Sequence, residues 1–339
     1  MPESVARSLA RERKPSEFEG GRPDRPVNLW SEPEALHGTR VPAFVVILRT
    51  RGCYWADLKG CSMCGYAKDT LGRSATPEEI AAQIEIARGA YRGQPYVKVY
   101  TSGSFLDDRE VDPESRRRLL SSFDGHARRV LFETLPEFAT AEQLQPLIET
   151  FAGEIEVALG LESTQPDVLG RLINKGSSPQ EYLAAAARVR GLGLKTKGYL
   201  LLKPPYLTEE EAVADVLTSI RTARASFDTL SVNPVHIQNG TVVEWLFRRG
   251  RFRPPWLWSV AEVLRRGAPE ADGTRLVSFP TAGGLARGPH NCGECDRTVL
   301  AAIEDASLDQ RFEALGALHC RCEERYARER SLEPLGVEA

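Results

Sequence analysis

Apolar residues in this chain recur as short, nearly continuous runs separated by longer segments of helical period. Ala43 to Thr50 reads AFVVILRT, a β-branched run of the kind found in strands buried on both faces of a parallel sheet. Comparable runs follow at Val97 to Thr101, Val130 to Thr134, Ile155 to Leu161, Thr196 to Leu202 and Leu230 to Val235. Six strands are predicted.

The intervening segments carry helix start signals. Thr76, Pro77 and Glu79 supply an N-cap, a first-turn proline and the returning carboxylate of a capping box, and Ile80, Ile84 and Ala87 follow on one face. Thr140 with Gln143, Ser178 with Glu181 and Thr208 with Glu211 repeat the spacing. Strand alternating with helix implies right-handed crossovers and a parallel sheet. Six units are too few for a closed eight-stranded barrel, which leaves an α/β fold built either as a partial barrel or as a doubly wound sheet. Both bind ligands at the carboxyl ends of their strands.

Residues 1–40 are polar, rich in Pro and Arg and without apolar period, and are expected to form an N-terminal arm. The βα rhythm occupies 41–245, and 246–339 read as a C-terminal extension with Trp- and Arg-rich, then Gly-rich, then Cys-rich parts. With 44 Lys and Arg against 47 Asp and Glu, the net charge of −3 excludes a generally cationic nucleic-acid coat or membrane-surface protein. No apolar run approaches 18 residues and the amino end lacks an apolar leader core, so a cytoplasmic location without membrane contact is expected.

Composition becomes chemically informative at the seven cysteines, which fall into two tight groups. Such grouping favours metal ligation in a reducing compartment over a disulfide framework. Cys53, Cys61 and Cys64 lie on one loop immediately after the first predicted strand, spaced Cys-x7-Cys-x2-Cys. Three thiolates can hold three irons of a 4Fe-4S cubane and leave the fourth open to a ligand. A three-thiolate zinc site is the competing reading. The second group, Cys292 and Cys295 with Cys320 and Cys322, is a closed four-thiolate set suited to structural zinc, with a second iron-sulfur cluster as the alternative.

The loop GCYWADLKGCSMCGY resembles the cluster loop of radical S-adenosylmethionine (radical SAM) enzymes, in the longer spacing of the branch related to the Elongator catalytic subunit. The strings YTSGSFLD, LGLES, GYLLLKPP and NPVHIQNGTVVE are most similar to the archaeosine-biosynthesis group of that branch, RaSEA, and the likeness spans about Val41 to Glu244. The resemblance implies a partial (β/α)6 barrel. It implies that Cys53, Cys61 and Cys64 hold a 4Fe-4S cluster and that S-adenosylmethionine chelates the open iron through its amino and carboxylate groups. One-electron cleavage would then give a 5'-deoxyadenosyl radical, which requires an electron donor. By the same resemblance Ser102, Gly103 and Ser104 contact the methionine moiety and Glu162 reaches the ribose or the amino group. Met63 stands where an aromatic residue often packs on adenine, and Tyr66 is a candidate to supply that ring. Lys203 and His236 are candidates for work on the substrate, since hydrogen abstraction needs positioning more than acid-base catalysis.

The group's members act on tRNA, fragmenting a lysine-bearing deazaguanine to archaeosine beside a partner, archaeosine synthase, that attaches the lysine. Arg116 to Arg118, Arg128, Arg129, Arg248 to Arg253 and Arg265 with Arg266 are local basic clusters, and those near Trp256 and Trp258 are candidate phosphate and base contacts. The alternatives are another Elongator-like tRNA-modifying radical SAM enzyme or a noncatalytic iron-sulfur or zinc adaptor of a tRNA-modifying complex. The 95 residues after Glu244 are too few for the acetyltransferase domain of an Elongator-type enzyme.

Overall fold

Each apolar run of the βα rhythm becomes a strand, and the strands curl into one eight-stranded sheet in sequence order. A computed structural model of the chain describes residues 21–332. The strands are β1 (Asn28–Leu36), β2 (Thr39–Ile47), β3 (Tyr96–Tyr100), β4 (Arg129–Thr134), β5 (Glu154–Glu162), β6 (Lys195–Leu202), β7 (Thr229–Pro234) and β8 (Arg275–Val277). β1 pairs antiparallel to β2, and β2 through β8 are parallel. The architecture is an α/β half-barrel with a curled parallel sheet.

The helices are α1 (Tyr54–Leu58), α2 (Pro77–Ala90), α3 (Pro113–Ser121), α4 (Ala141–Thr150), α5 (Pro179–Gly191), α6 (Glu209–Ala223), α7 (Val242–Arg248), α8 (Leu257–Glu270), α9 (Asp296–Asp309) and α10 (Glu323–Glu329), and those between the strands cover the outer face of the sheet. The predicted capping boxes form at Thr76 with Glu79, Ser178 with Glu181 and Thr208 with Glu211. At Thr140 only half of the box forms, because the Gln143 side chain instead accepts from Arg116 at 2.6 Å. Val97, Val99, Val130, Phe132, Val157 and Leu159 point outward into the main core with Ile80, Ile84, Leu119, Leu144 and Leu147 from the helices.

The inner face is different. Tyr96, Leu131, Ala158, Tyr100 and Tyr199 form a separate small cluster there, and the remaining inward positions are largely charged. The strands therefore alternate, apolar toward the helices and polar toward the lumen, where their sequence suggests burial in apolar surroundings on both faces. At the centre of the lumen lies Glu34, wholly buried. Its carboxylate meets Lys98 at 2.7 Å and Arg275 at 2.8 Å, with the Lys197 ammonium at 4.0 Å. Those three cations together hold the Glu34 carboxyl well below the ordinary carboxylate range against the opposing effect of burial.

Two elements depart from expectation. Residues 21–40, read as part of an arm, contain β1; residues 1–20 lie outside the described residues. An apolar period could not reveal β1, because its inward positions are Glu32 and Glu34, stabilised by Lys98 rather than by hydrophobic burial. Residues 246–339, read as an extension, supply β8, a seventh parallel strand too short for its own pattern. The Arg275 to Glu34 contact ties β8 to β1 across the open side of the half-barrel. Helix α9 packs against both edges, and its Asp305 and Asp309 each bind Arg40 at 2.7 Å. Among the described residues no helix is long and apolar enough to cross a membrane.

Removing one partner from a buried ion pair typically costs about 3–5 kcal/mol. Glu34→Ala is expected to lower stability by that amount, measured as the shift in a urea-unfolding midpoint. Because the folded-state pKa of Glu34 is depressed, its contribution is full above the unfolded carboxylate value of about 4.3 and is lost as pH falls below it. The wild-type and Glu34→Ala stabilities therefore converge on acidification.

Candidate metal and cofactor site

The three cysteines of the first group lie at the carboxyl ends of the strands, on the loop that leaves β2. Cys53 is the N-cap of α1, which occupies the long spacer, and Cys64 closes a turn onto the Cys61 carbonyl. Two distant segments clamp this loop. From the segment after β5, the Leu172 carbonyl accepts from the Ser62 hydroxyl at 2.7 Å, the Asn174 carbonyl from the Trp55 indole at 2.8 Å, and the Asn174 amide donates to the Gly60 carbonyl at 2.8 Å. From the segment after β7, Gln238 Oε1 accepts from the Gly65 N–H at 2.5 Å and the Val242 N–H donates to the Ser62 carbonyl at 3.0 Å.

Burial pushes the Cys53 thiol up to about 11 and the Cys61 thiol up to about 12, with the other thiols adding to the rise. Neither ionises near neutrality unless a cation binds, which is the coupling expected of metal ligands. Among the described residues, one set of metal-binding side chains has all its ligand atoms within 4.8 Å, and it is the C-terminal one.

Beneath the loop sits the end of β3. A Cβ on Gly103 would lie 2.0 Å from Glu110 Oε1 and 2.6 Å from the Cys53 Cα, so this glycine is required by close approach of two backbones. Glu110 accepts from the Ser104 N–H at 2.6 Å and from the Thr50 hydroxyl at 2.8 Å, joining the ends of β2 and β3. The Ser104 hydroxyl is turned away to Thr134 at 2.7 Å, and Ser102 and Gly103 stay half-buried at the rim.

Glu162 ends β5 with φ of 63°, a left-handed conformation for a residue with a side chain, and pairs with Lys175 at 3.2 Å. Lys175 also lies close enough to Cys61 to influence its thiol. Met63 packs half-buried against the core. Tyr66 keeps 48% of its surface accessible, yet burial pushes its hydroxyl up to about 12, with Cys64 and Glu133 adding to the rise. Burial likewise pushes the Glu133 carboxyl up to about 7, and a hydrogen bond from Tyr199 opposes the shift.

The two candidates for substrate work are placed differently. Lys203 is buried against Glu209 at 2.6 Å, and Glu209 also accepts from the Ser259 hydroxyl and the Trp256 N–H, so its ammonium fastens α8 to the barrel. His236 Nε2 receives the Gln238 amide at 2.9 Å, which aims Gln238 Oε1 at Gly65. Glu110, Lys175 and Gln238 escaped sequence reasoning because they touch the cluster loop only through tertiary contact. None sits in a cysteine motif.

In the second group, sulfur separations are 3.8 Å for Cys292 to Cys295 and 3.7 Å for both Cys292 to Cys320 and Cys295 to Cys322. A tetrahedron with zinc-sulfur bonds of about 2.3 Å has edges of about 3.8 Å. The Trp258 indole donates to Cys322 at 3.2 Å and the Asn291 amide to Cys295 at 3.4 Å, the outer contacts that orient thiolate ligands. Trp256 and Trp258 are buried, the first beneath Arg253, so they are core residues and offer no face to a base. Arg116 is also buried, bonded to Asp108. Arg248, Arg249, Arg265 and Arg266 remain exposed.

The chain belongs to the radical SAM superfamily, whose family model matches residues 47–217, and it is an enzyme of the kind that uses a 4Fe-4S cluster and S-adenosylmethionine. It is similar to the archaeosine synthase subunit beta of Methanosarcina acetivorans, 36% identical over 89% of this chain and 88% of the relative. It is also similar to the archaeosine synthase subunit beta of Thermococcus kodakarensis, 35% identical over 88% of this chain and 95% of the relative. The solved Methanocaldococcus infernus Elp3 superimposes with a TM-score of 0.49 at 15% identity, covering 69% of this chain and 60% of that one.

Gly103→Ala drives a methyl into the Cys53 backbone, and overpacking of that kind costs about 1–3 kcal/mol. Iron and sulfide bound after anaerobic reconstitution are expected to fall several-fold, while the far-ultraviolet circular dichroism of the apoprotein stays at the wild-type value.

Proposed function

We propose that this chain converts a lysine-bearing deazaguanine in tRNA to archaeosine, acting with an archaeosine synthase that attaches the lysine. The reading is carried by the extent of the likeness to two archaeosine synthase beta subunits, which takes in nearly nine-tenths of this chain. Both relatives are named as subunits, which supports a partner chain. The half-barrel with its thiol loop at the strand ends supports a radical reaction at the mouth of the lumen.

Cys53, Cys61 and Cys64 are the proposed cluster ligands. The bound cluster and S-adenosylmethionine supply the hydrogen-abstracting 5'-deoxyadenosyl group. Lys175 places a cation beside Cys61, offsetting the negative charge that three thiolates bring. Gly103 lets β3 approach the loop, Ser102 and Ser104 flank it, and Glu162, Met63 and Tyr66 line the rim where S-adenosylmethionine is proposed to lie. Gln238, oriented by His236, holds the loop's far end through Gly65. Cys292, Cys295, Cys320 and Cys322 are proposed to bind one zinc ion, as their sulfur separations suit a single tetrahedral metal.

Incubating the anaerobically reconstituted protein with archaeosine synthase, S-adenosylmethionine, a reductant and tRNA is expected to yield archaeosine by mass spectrometry of tRNA nucleosides. Its absence, while 5'-deoxyadenosine accumulates, would point to another radical SAM reaction. Cys61→Ala should eliminate 5'-deoxyadenosine formation; retained cleavage would sink the ligand assignment. Cys292→Ala should lose zinc by elemental analysis and melt at a lower temperature while still binding the iron-sulfur cluster.

A further inference from the structure

Among the described residues, Lys197 is a lumen cation without a hydrogen-bonded counter-ion. Lys197 projects inward from β6 and is 3% exposed, and its nearest carboxylate oxygen, Glu34 Oε2, is 4.0 Å away. Glu34 Oε1 accepts from Arg275 at 2.8 Å, Oε2 has the Lys98 ammonium at 2.7 Å without a hydrogen bond, and Glu156 accepts from the Tyr96 hydroxyl. Lys98 leans away toward Glu32 and the Tyr96 ring. Lys197 leans the other way, toward the strand ends, with its ammonium 5.7 Å from the Tyr199 ring centre. Burial, reinforced by the neighbouring Lys98 and Arg275 charges, holds the ammonium below the usual lysine range even with Glu34 and Glu156 near, so an added anion would relieve it.

Above Lys197 the lumen continues polar to the cofactor rim. The Tyr199 hydroxyl lies 3.4 Å from the Tyr100 hydroxyl and bonds Glu133, which in turn is close to Glu162. Lys197 is one inward position below Tyr199, about 7 Å of strand rise. A slender substrate arm that presents a carbon to the rim would therefore carry its far end down past two phenol hydroxyls to this ammonium.

We infer that Lys197 is the binding residue for a carboxylate at the tip of the substrate's arm, which for the proposed substrate is the α-carboxylate of its lysine. The assignment rests on the functional reading above and deepens it by naming what the lumen floor recognises. A single ammonium flanked by phenols suits a monoanion rather than a phosphate, which would demand several cations. The site selects against amine arms that lack the carboxylate, since they leave the buried ammonium unpaired.

The test compares two tRNAs, one bearing the lysyl deazaguanine and one bearing the same base with a pentane-1,5-diamine arm. A charge-assisted hydrogen bond corresponds to about 10- to 100-fold in affinity, so wild-type protein is expected to show a KM higher by that factor for the diamine arm. Lys197→Met is expected to raise KM for the lysyl arm by a similar factor and to treat both arms alike, whereas Lys197→Arg restores part of the preference. Glu34 keeps Lys98 and Arg275 in Lys197→Met, so the barrel should persist, checked by an unchanged far-ultraviolet circular dichroism spectrum and wild-type iron and sulfide content. Equal KM values for the two arms in wild type overturn the inference, a measurement that needs no variant. A Lys197→Met effect on KM for S-adenosylmethionine instead of tRNA also overturns it, because the carboxylate bound would then be the cofactor's. Turnover of neither arm by wild type overturns the functional reading and the assignment together.

Discussion

The half-barrel depends on a single carboxylate surrounded by cations. Glu34 enters the lumen from the antiparallel edge strand, Lys98 and Lys197 from the middle of the sheet, and Arg275 from the opposite edge. Charges held this way carry a large desolvation cost that only mutual contact offsets. The two sheet edges must therefore stay within reach of one another. That requirement keeps the two edges of the curled sheet together.

The same arrangement explains what could be read from the residues in order. Helix starts were legible because capping is local: Thr76 and Glu79 need only each other. The strands β2 to β7 were legible because their outward residues pack on helices, giving β-branched runs. The alternation within those runs was masked, since Tyr96, Lys98 and Tyr100 interleave with valines in a segment of five residues. β1 was invisible for a stronger reason: Glu32 and Glu34 are satisfied by Lys98, some 65 positions later in the chain, and no local pattern encodes that partner.

The candidate site divides along the same line. The cysteines announce themselves by spacing, and the resemblance to radical SAM loops follows from them. The residues that hold those cysteines do not. Asn174 and Gln238 lie more than 100 positions from the loop they clamp, and Glu110 reaches Ser104 and Thr50 across a turn. Lys203 shows the opposite error of a polar strand-end residue that looks chemical yet is spent on fastening Glu209 and α8. The tryptophans near the arginine cluster are likewise core, with Trp258 serving a sulfur of the second cysteine group.

Cys295, one of the four C-terminal thiols, is also the N-cap of α9, the helix that latches β8 to β1. Closure of the seam therefore waits for segments made after β1 to β7. Until about residue 322 has emerged, a nascent polypeptide can pair its first seven strands but has no fastened side wall. Its cluster loop and lumen stay open along one flank until those thiols meet.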